Sequence, residues 1–146
     1  PKRVIGLFSK DPSFGTDRLA SGILDFGNGL QASFTCSTQV APYQRINILG
    51  THGRVEIDIP FNAPPDRPCR VSLYPGTHSD QGRFEPAESQ VLDMDICDQY
   101  TLQGEAISLA ILNDDPVPYG LEDAVGNMRT LEALRQSNES FTWIVH

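Results

Sequence analysis

The sequence predicts an α+β protein, an open and mainly antiparallel β-sheet with helices packed on one face. Three observations carry this. Val55, Ile57 and Ile59 alternate with Arg54, Glu56 and Asp58, the period of a strand with one buried face. Gly27-Asn28-Gly29 separates two further alternating runs, a strong hairpin signal. Beyond Asp98 the apolar spacing lengthens to the helical period. Strands followed by helices are the mark of an antiparallel sheet covered on one side.

Each element follows in order. Val4 to Phe8 is a short apolar run, read as a first strand, and the loop Ser9 to Asp17 carries Pro12 and Gly15. Arg18 to Phe26 and Leu30 to Ser37 flank the Gly27-Asn28-Gly29 turn. In the second arm Leu30, Ala32, Phe34 and Cys36 alternate with Gln31, Ser33 and Thr35, so Cys36 reads as a small core residue. Ile46 and Ile48 form one arm of a central hairpin whose connection is Gly50-Thr51-His52-Gly53, its two glycines free to take positive φ. Pro60 has no N–H to donate and ends the ladder. Arg70 to Tyr74 is another strand, Pro75 to Ser89 a mobile polar excursion, and Leu92, Met94 and Ile96 mark a last strand.

Asp98 to Leu112 is a helix with Tyr100, Ile107 and Ile111 on one stripe, stopped by Asn113-Asp114-Asp115-Pro116. A second helix runs from about Leu121 to Gln136, its stripe Leu121, Ala124, Val125, Met128, Leu131 and Leu134. Glu122 and Asp123 in its first turn complement the dipole, and Ser137 and Asn138 are expected to break it. This helix is expected over Val55, Ile57 and Ile59. Phe141 to Val145 reads as a final extended segment.

The 146 residues fit a single domain, residues 1–146. A net charge of −8 with only two lysines, Lys2 and Lys10, argues against a nucleic-acid or anionic-membrane partner. No run of 18 apolar residues is present to span a bilayer. Three scattered cysteines, Cys36, Cys69 and Cys97, do not make a disulfide framework and point to reduced thiols in a cytoplasmic protein. A start at Pro1 without Met hints at a piece of something longer.

No self-contained active site is legible. His52, His78 and His146 are scattered and lack metal-ligand spacing. Asp93, Asp95 and Asp98 lack the glycine and distal glutamate of a calcium loop. Both glycine-flanked turns join strand to strand, whereas a dinucleotide fingerprint joins strand to helix. No metal ligand, cofactor-binding residue or catalytic residue is therefore assigned.

In order and spacing, LDFGNGLQASFTCS, INILGTHGRVEIDIPF, QYTLQGEAISLAI and PVPYGLEDAVGNMRTLEALRQS resemble the C-terminal domain of the glucose–fructose oxidoreductase/inositol dehydrogenase/MocA (Gfo/Idh/MocA) family. The resemblance runs from about Ser21 to Ser137, and the I-D-I-P-F-N-A-P-P run looks most like the xylose and dihydrodiol dehydrogenase branch. It implies an NAD(P)-dependent oxidoreductase of sugars, polyols and related diols, with NAD or NADP held by a Rossmann domain outside this sequence. The family's glycine fingerprint, Glu-Lys-Pro motif and D-x-G-x-H element are all missing here, so the isolated chain is expected to be inactive.

The resemblance further implies a substrate-pocket wall and a homo-oligomer through the open sheet face. Tyr43, Arg45, Tyr100 and Gln103 are the substrate-binding candidates, because polyol recognition needs donors and acceptors beside an aromatic face. Tyr100 as a first core contact and Arg45 as a strand-edge charge are the alternatives. Gln31, Ser33, Thr35, Arg54, Glu56 and Asp58 are the oligomer-face candidates, against a merely solvated face. A stand-alone binding or assembly module and a small ligand-binding α+β protein stay open as other readings.

Overall fold

The computed structural model describes residues Pro1–His146. In chain order the elements are β1 (Arg3–Lys10), β2 (Asp17–Gly27), β3 (Leu30–Ser37), β4 (Ile46–Gly50), β5 (Gly53–Ile57), β6 (Cys69–His78), β7 (Phe84–Pro86), β8 (Gln90–Met94), α1 (Gln99–Asn113), α2 (Leu121–Ser140) and β9 (Ile144–Val145). The α+β class is as the sequence predicts, with every strand pair antiparallel. The strands divide between two sheets, β3-β2-β1-β9 and β4-β5-β6 with β7 and β8 on the far edge of β6. They belong to two compact units, Pro1–Ala41 with Pro118–His146, and Pro42–Val117.

In the first unit β1, β2 and β3 form a meander. Asn28 (φ 54°) and Gly29 (φ 81°) turn the β2–β3 hairpin, a pair of positive φ values that matches the twist of the flanking strands. Val4, Gly6 and Phe8 share one face with Leu24, Gly22 and Phe34, and α2 packs there against β1. The core is Val4, Ala133 and Leu134, with Phe8, Leu24, Phe34 and Ile144 against it. Gly6 is required by this approach, since a Cβ there would stand 2.7 Å from the Leu134 carbonyl oxygen. At Gly22 the ring of Phe34 occupies the space a side chain would take.

Four expectations change in this unit. Ser137 and Asn138 do not break α2, which continues to Ser140. The Ser137 Oγ, fully buried, accepts from the Gly6 N–H at 3.1 Å and donates to the Thr142 carbonyl at 2.6 Å. Asn138 Oδ1 accepts from the Phe8 N–H at 2.8 Å. The short β9 pairs only with Arg3 and Val4, so these two side chains satisfy the donors of β1 beyond it. Second, the inward residues of α2 are Thr130, Ala133, Leu134, Ser137 and Asn138, while Leu121, Val125, Met128 and Leu131 face outward.

Third, α2 lies on β1, whereas Val55 and Ile57 belong to the other sheet. Fourth, Cys36 is exposed. Its alternation puts it on the helix-covered side, opposite Ala20, but β3 is the outer strand and α2 runs over β1.

In the second unit the central hairpin forms as expected, with Ile46↔Ile57, Ile48↔Val55 and Gly50↔Gly53 in register. Only Gly53 takes positive φ (139°), where a Cβ would collide with the Tyr74 carbonyl oxygen. The strand ends at Ile57, before Pro60, so Ile59 and Asp58 lie outside it. Much of the polar excursion after Pro75 is β structure: β6 reaches His78, and β7 pairs with its end. α1 begins on Asp98, whose carboxylate accepts from the Tyr100 N–H at 3.0 Å and the Thr101 hydroxyl at 2.9 Å. It stops at Asp114 in the left-handed conformation (φ 56°). Its apolar residues Ile107 and Ile111 remain exposed.

Candidate functional site

Tyr43, Arg45, Tyr100 and Gln103 all lie in the second unit. The loop after β5 links two of the segments that carry them. Gln44 Oε1 accepts from the Phe61 N–H at 3.1 Å, and Asn62 Oδ1 accepts from the Tyr100 hydroxyl at 3.2 Å. Consecutive residues thus tie the segment ahead of β4 and the first turn of α1 to one short loop. Asn62 is held at φ 51°, a conformation asparagine tolerates better than most residues. Both aromatic rings stay open to solvent, Tyr43 at 78% exposure and Tyr100 at 66%. Gln103 is exposed one turn after Tyr100 on α1.

Arg45 is committed elsewhere. Its guanidinium reaches Glu56 at 3.2 Å and Asp58 at 3.1 Å, and Arg54 meets the same Glu56 at 3.0 Å. Arg54 also lies over the ring of its cross-strand partner Tyr74, 3.9 Å from the centroid. These pairs knit the polar face of β5 to its neighbours. Gln44 and Asn62 carried no signal in the sequence, because a side-chain amide in a loop shows its partner only once the chain has folded.

The open-face candidates fall on both sheets. Gln31, Ser33 and Thr35 are exposed on β3, with Thr35 bonded to Ser21 at 2.9 Å. On that same face the neighbouring strands place Ile23 and Leu7, both exposed, so it is less polar than β3 suggests. Arg54 and Glu56 lie on β5, and Asp58 follows its end.

Carboxylate pKa values follow these bonds. The Thr101 hydroxyl and the Tyr100 N–H hold Asp98 below the usual carboxylate value. Gln39 and the Ser13 and Phe14 N–H groups do so for Asp11, and Arg3 with the Gly27 N–H for Asp25. On α2, Arg135 and Gln136 bring Glu132 down to about 2. No group of three His, Cys, Asp or Glu side chains gathers as a metal site. No helix is long and apolar enough to cross a membrane.

Residues 1–56 match the GFO/IDH/MocA C-terminal domain family. An uncharacterised oxidoreductase, ORF334, from Rhizobium meliloti is 37% identical over 143 residues, covering 98% of this chain and 41% of that protein. D-xylose 1-dehydrogenase (NADP(+)) 2 from Haloferax volcanii is 26% identical over 145 residues, covering 96% of this chain and 40% of that protein. The crystal structure of aldose-aldose oxidoreductase from Caulobacter crescentus, complexed with glycerol, superposes with a TM-score of 0.72 at 21% identity. That match covers 100% of this chain and 41% of the other, and it establishes a shared fold. The chain spans about two fifths of the curated relatives it matches.

Proposed function

We propose that this chain, whose first 56 residues match the GFO/IDH/MocA C-terminal domain, is the substrate-side part of a longer NAD(P)-dependent dehydrogenase of a sugar, polyol or related diol. One observation carries the reading: 37% identity extends over 98% of this chain but only 41% of the relative, an oxidoreductase. The nicotinamide cofactor is held by the remainder of such a protein, and the 146 residues alone neither bind it nor transfer hydride. The compartment is the cytoplasm.

Tyr43, Tyr100 and Gln103 supply the pocket wall, with Asn62 fixing the Tyr100 hydroxyl and Gln44 fixing the loop. An exposed ring beside free amide donors suits a polyol, which offers hydroxyls around an apolar ring face. Arg45, held by Glu56 and Asp58, stiffens the wall in place of contacting substrate directly. The open sheet faces, with Leu7 and Ile23 among Gln31, Ser33 and Thr35, receive a second copy in a homo-oligomer.

Two measurements test the reading. The complete reading frame containing this chain should encode a glycine-rich fingerprint and a Glu-Lys-Pro motif, and its product should reduce NADP+ with D-xylose, another sugar or a polyol. A frame that encodes neither leaves a stand-alone assembly module as the better account. Titration of D-xylose into the labelled 146-residue chain should shift the amide signals of Asn62 and Tyr100 most. Shifts confined to the other unit would remove these residues from the pocket.

A further inference from the structure

Asn62 and Tyr100 meet with a hydrogen-bond polarity that their residue types alone do not fix. The Tyr100 hydroxyl donates to Asn62 Oδ1 at 3.2 Å. A phenol carries a single donor, so this bond leaves the Tyr100 oxygen with lone pairs only. The Asn62 amide has the opposite remainder: its oxygen is engaged, and its Nδ2 keeps two N–H donors that no protein group takes up. Nδ2 and Oδ1 share one carbon, so a free donor stands beside a free acceptor.

The surroundings hold this arrangement and leave room next to it. Asn62 takes the left-handed conformation (φ 51°), and the Phe61 N–H before it is tied to Gln44 at 3.1 Å. One turn along α1 from Tyr100, Gly104 has nothing within 4 Å of the place a Cβ would occupy. A hollow of about 510 Å³ opens there beside Tyr100, bordered by Thr101, Glu105 and Ser108. The Thr101 hydroxyl is spent on Asp98 and the Ser108 hydroxyl on the Gly104 carbonyl.

We infer that Asn62 and Tyr100 act as one specificity element, which reads two adjacent hydroxyl groups held gauche on the substrate. The inference rests on the pocket wall proposed above and sharpens it. One hydroxyl donates to the Tyr100 oxygen, and its neighbour accepts from Asn62 Nδ2. With the Tyr100–Asn62 bond this closes a ring of three hydrogen bonds, each polarising the next. The oxygens of a gauche diol lie about one hydrogen-bond length apart, so both reach the pair together. A lone hydroxyl, or a diol with its oxygens anti, fills only half of it. An amide flip at Asn62 exchanges donor and acceptor and leaves the same match, since each hydroxyl can play either part.

The test is a cycle of protein and ligand changes in the protein encoded by the complete reading frame. It uses D-xylose, or the sugar or polyol that wild type turns over fastest, with its monodeoxy analogues. The readouts are kcat/KM and, independently of turnover, the dissociation constant from NMR titration. Asn62→Gly keeps the left-handed backbone and Tyr100→Phe keeps the ring, so neither unsettles the fold, and an unchanged circular dichroism melt checks that. Each variant should weaken the parent ligand about 3- to 10-fold. One deoxy analogue, lacking the hydroxyl that Tyr100 accepts, should be indifferent to Tyr100→Phe. A second, lacking the hydroxyl that Asn62 serves, should be indifferent to Asn62→Gly, and the two missing hydroxyls should be neighbours. Equal losses for every analogue, losses that map to hydroxyls not adjacent, or no loss in either variant overturn the inference and leave the enzyme reading standing. Failure of wild type to bind or turn over any sugar or polyol removes that reading, and this inference with it.

Discussion

Replacing Ser137 by alanine should remove much of the stability of the first unit, although it deletes a single oxygen. Ser137 is fully buried, and its hydroxyl serves the Gly6 N–H and the Thr142 carbonyl together. No strand lies beside Gly6 on that edge, because β9 pairs only with Arg3 and Val4. Each backbone group left buried and unpaired costs about 1–3 kcal/mol, so the pair is worth about 2–4 kcal/mol after some relaxation. A unit of this size has a total stability of only about 4–10 kcal/mol.

The assay is urea unfolding followed by Trp143, the sole tryptophan, which lies in this unit with the Arg3 guanidinium 4.7 Å above its ring. With a slope of about 1–2 kcal/mol per molar urea, the midpoint should fall by roughly 1–4 M. Hydrogen exchange should accelerate at Gly6 in particular. A midpoint within 0.3 M of wild type, as an order-of-magnitude threshold, or an unchanged Gly6 amide, would refute the claim that this hydroxyl replaces a missing strand.

Further outcomes follow from the same geometry. Gly6→Ala should destabilise the first unit by about 2 kcal/mol or more, because the added methyl meets the backbone of α2, which cannot yield as a side chain can. Gly53→Ala should lower the melting temperature of the second unit, read by circular dichroism, through its positive φ and the Tyr74 carbonyl; an unchanged melt would place the hairpin differently. Asp98 is depressed in the folded state, so its contribution is fully present above the ordinary carboxylate value of about 4 and is lost as pH falls through its lower folded value. Helical circular dichroism should therefore decline on acidification, and Asp98→Ala should fray α1 at neutral pH and flatten that part of the titration. Glu132 behaves alike: its contribution is lost from about pH 4 down through its folded pKa of about 2, which a carboxylate-resolved NMR titration would detect.

Local order alone was enough for much of the chain. Alternation and turn chemistry identify the strands and the Asn28-Gly29 hairpin, because a strand's period and a positive φ are properties of a few adjacent residues. The Asp98 start of α1 and the Asp114 stop are legible for the same reason. What local order cannot supply is the partner. Ser137 and Asn138 look like helix breakers until β1 presents Gly6 and Phe8 to them. Cys36 sits on the expected face yet is exposed, since the width of a helix over β1 decides which strands it covers.

The candidate site divides along the same line. Tyr43 and Tyr100 could be picked from residue type, but Gln44 and Asn62 became visible only when folding brought residues 44 and 61, and 62 and 100, together. Arg45 changed from a free donor to a paired one by meeting Glu56 and Asp58. The sequence by itself determined the class of the protein and the kind of each element, through periods fixed by backbone geometry. The tertiary structure alone decided that the strands form two sheets, that α2 presents Ala133 and Leu134 inward, and that Leu121, Val125 and Met128 are left exposed. Which row of an amphipathic helix is buried depends on which one a neighbouring glycine lets close, and Gly6 admits the backbone of Leu134.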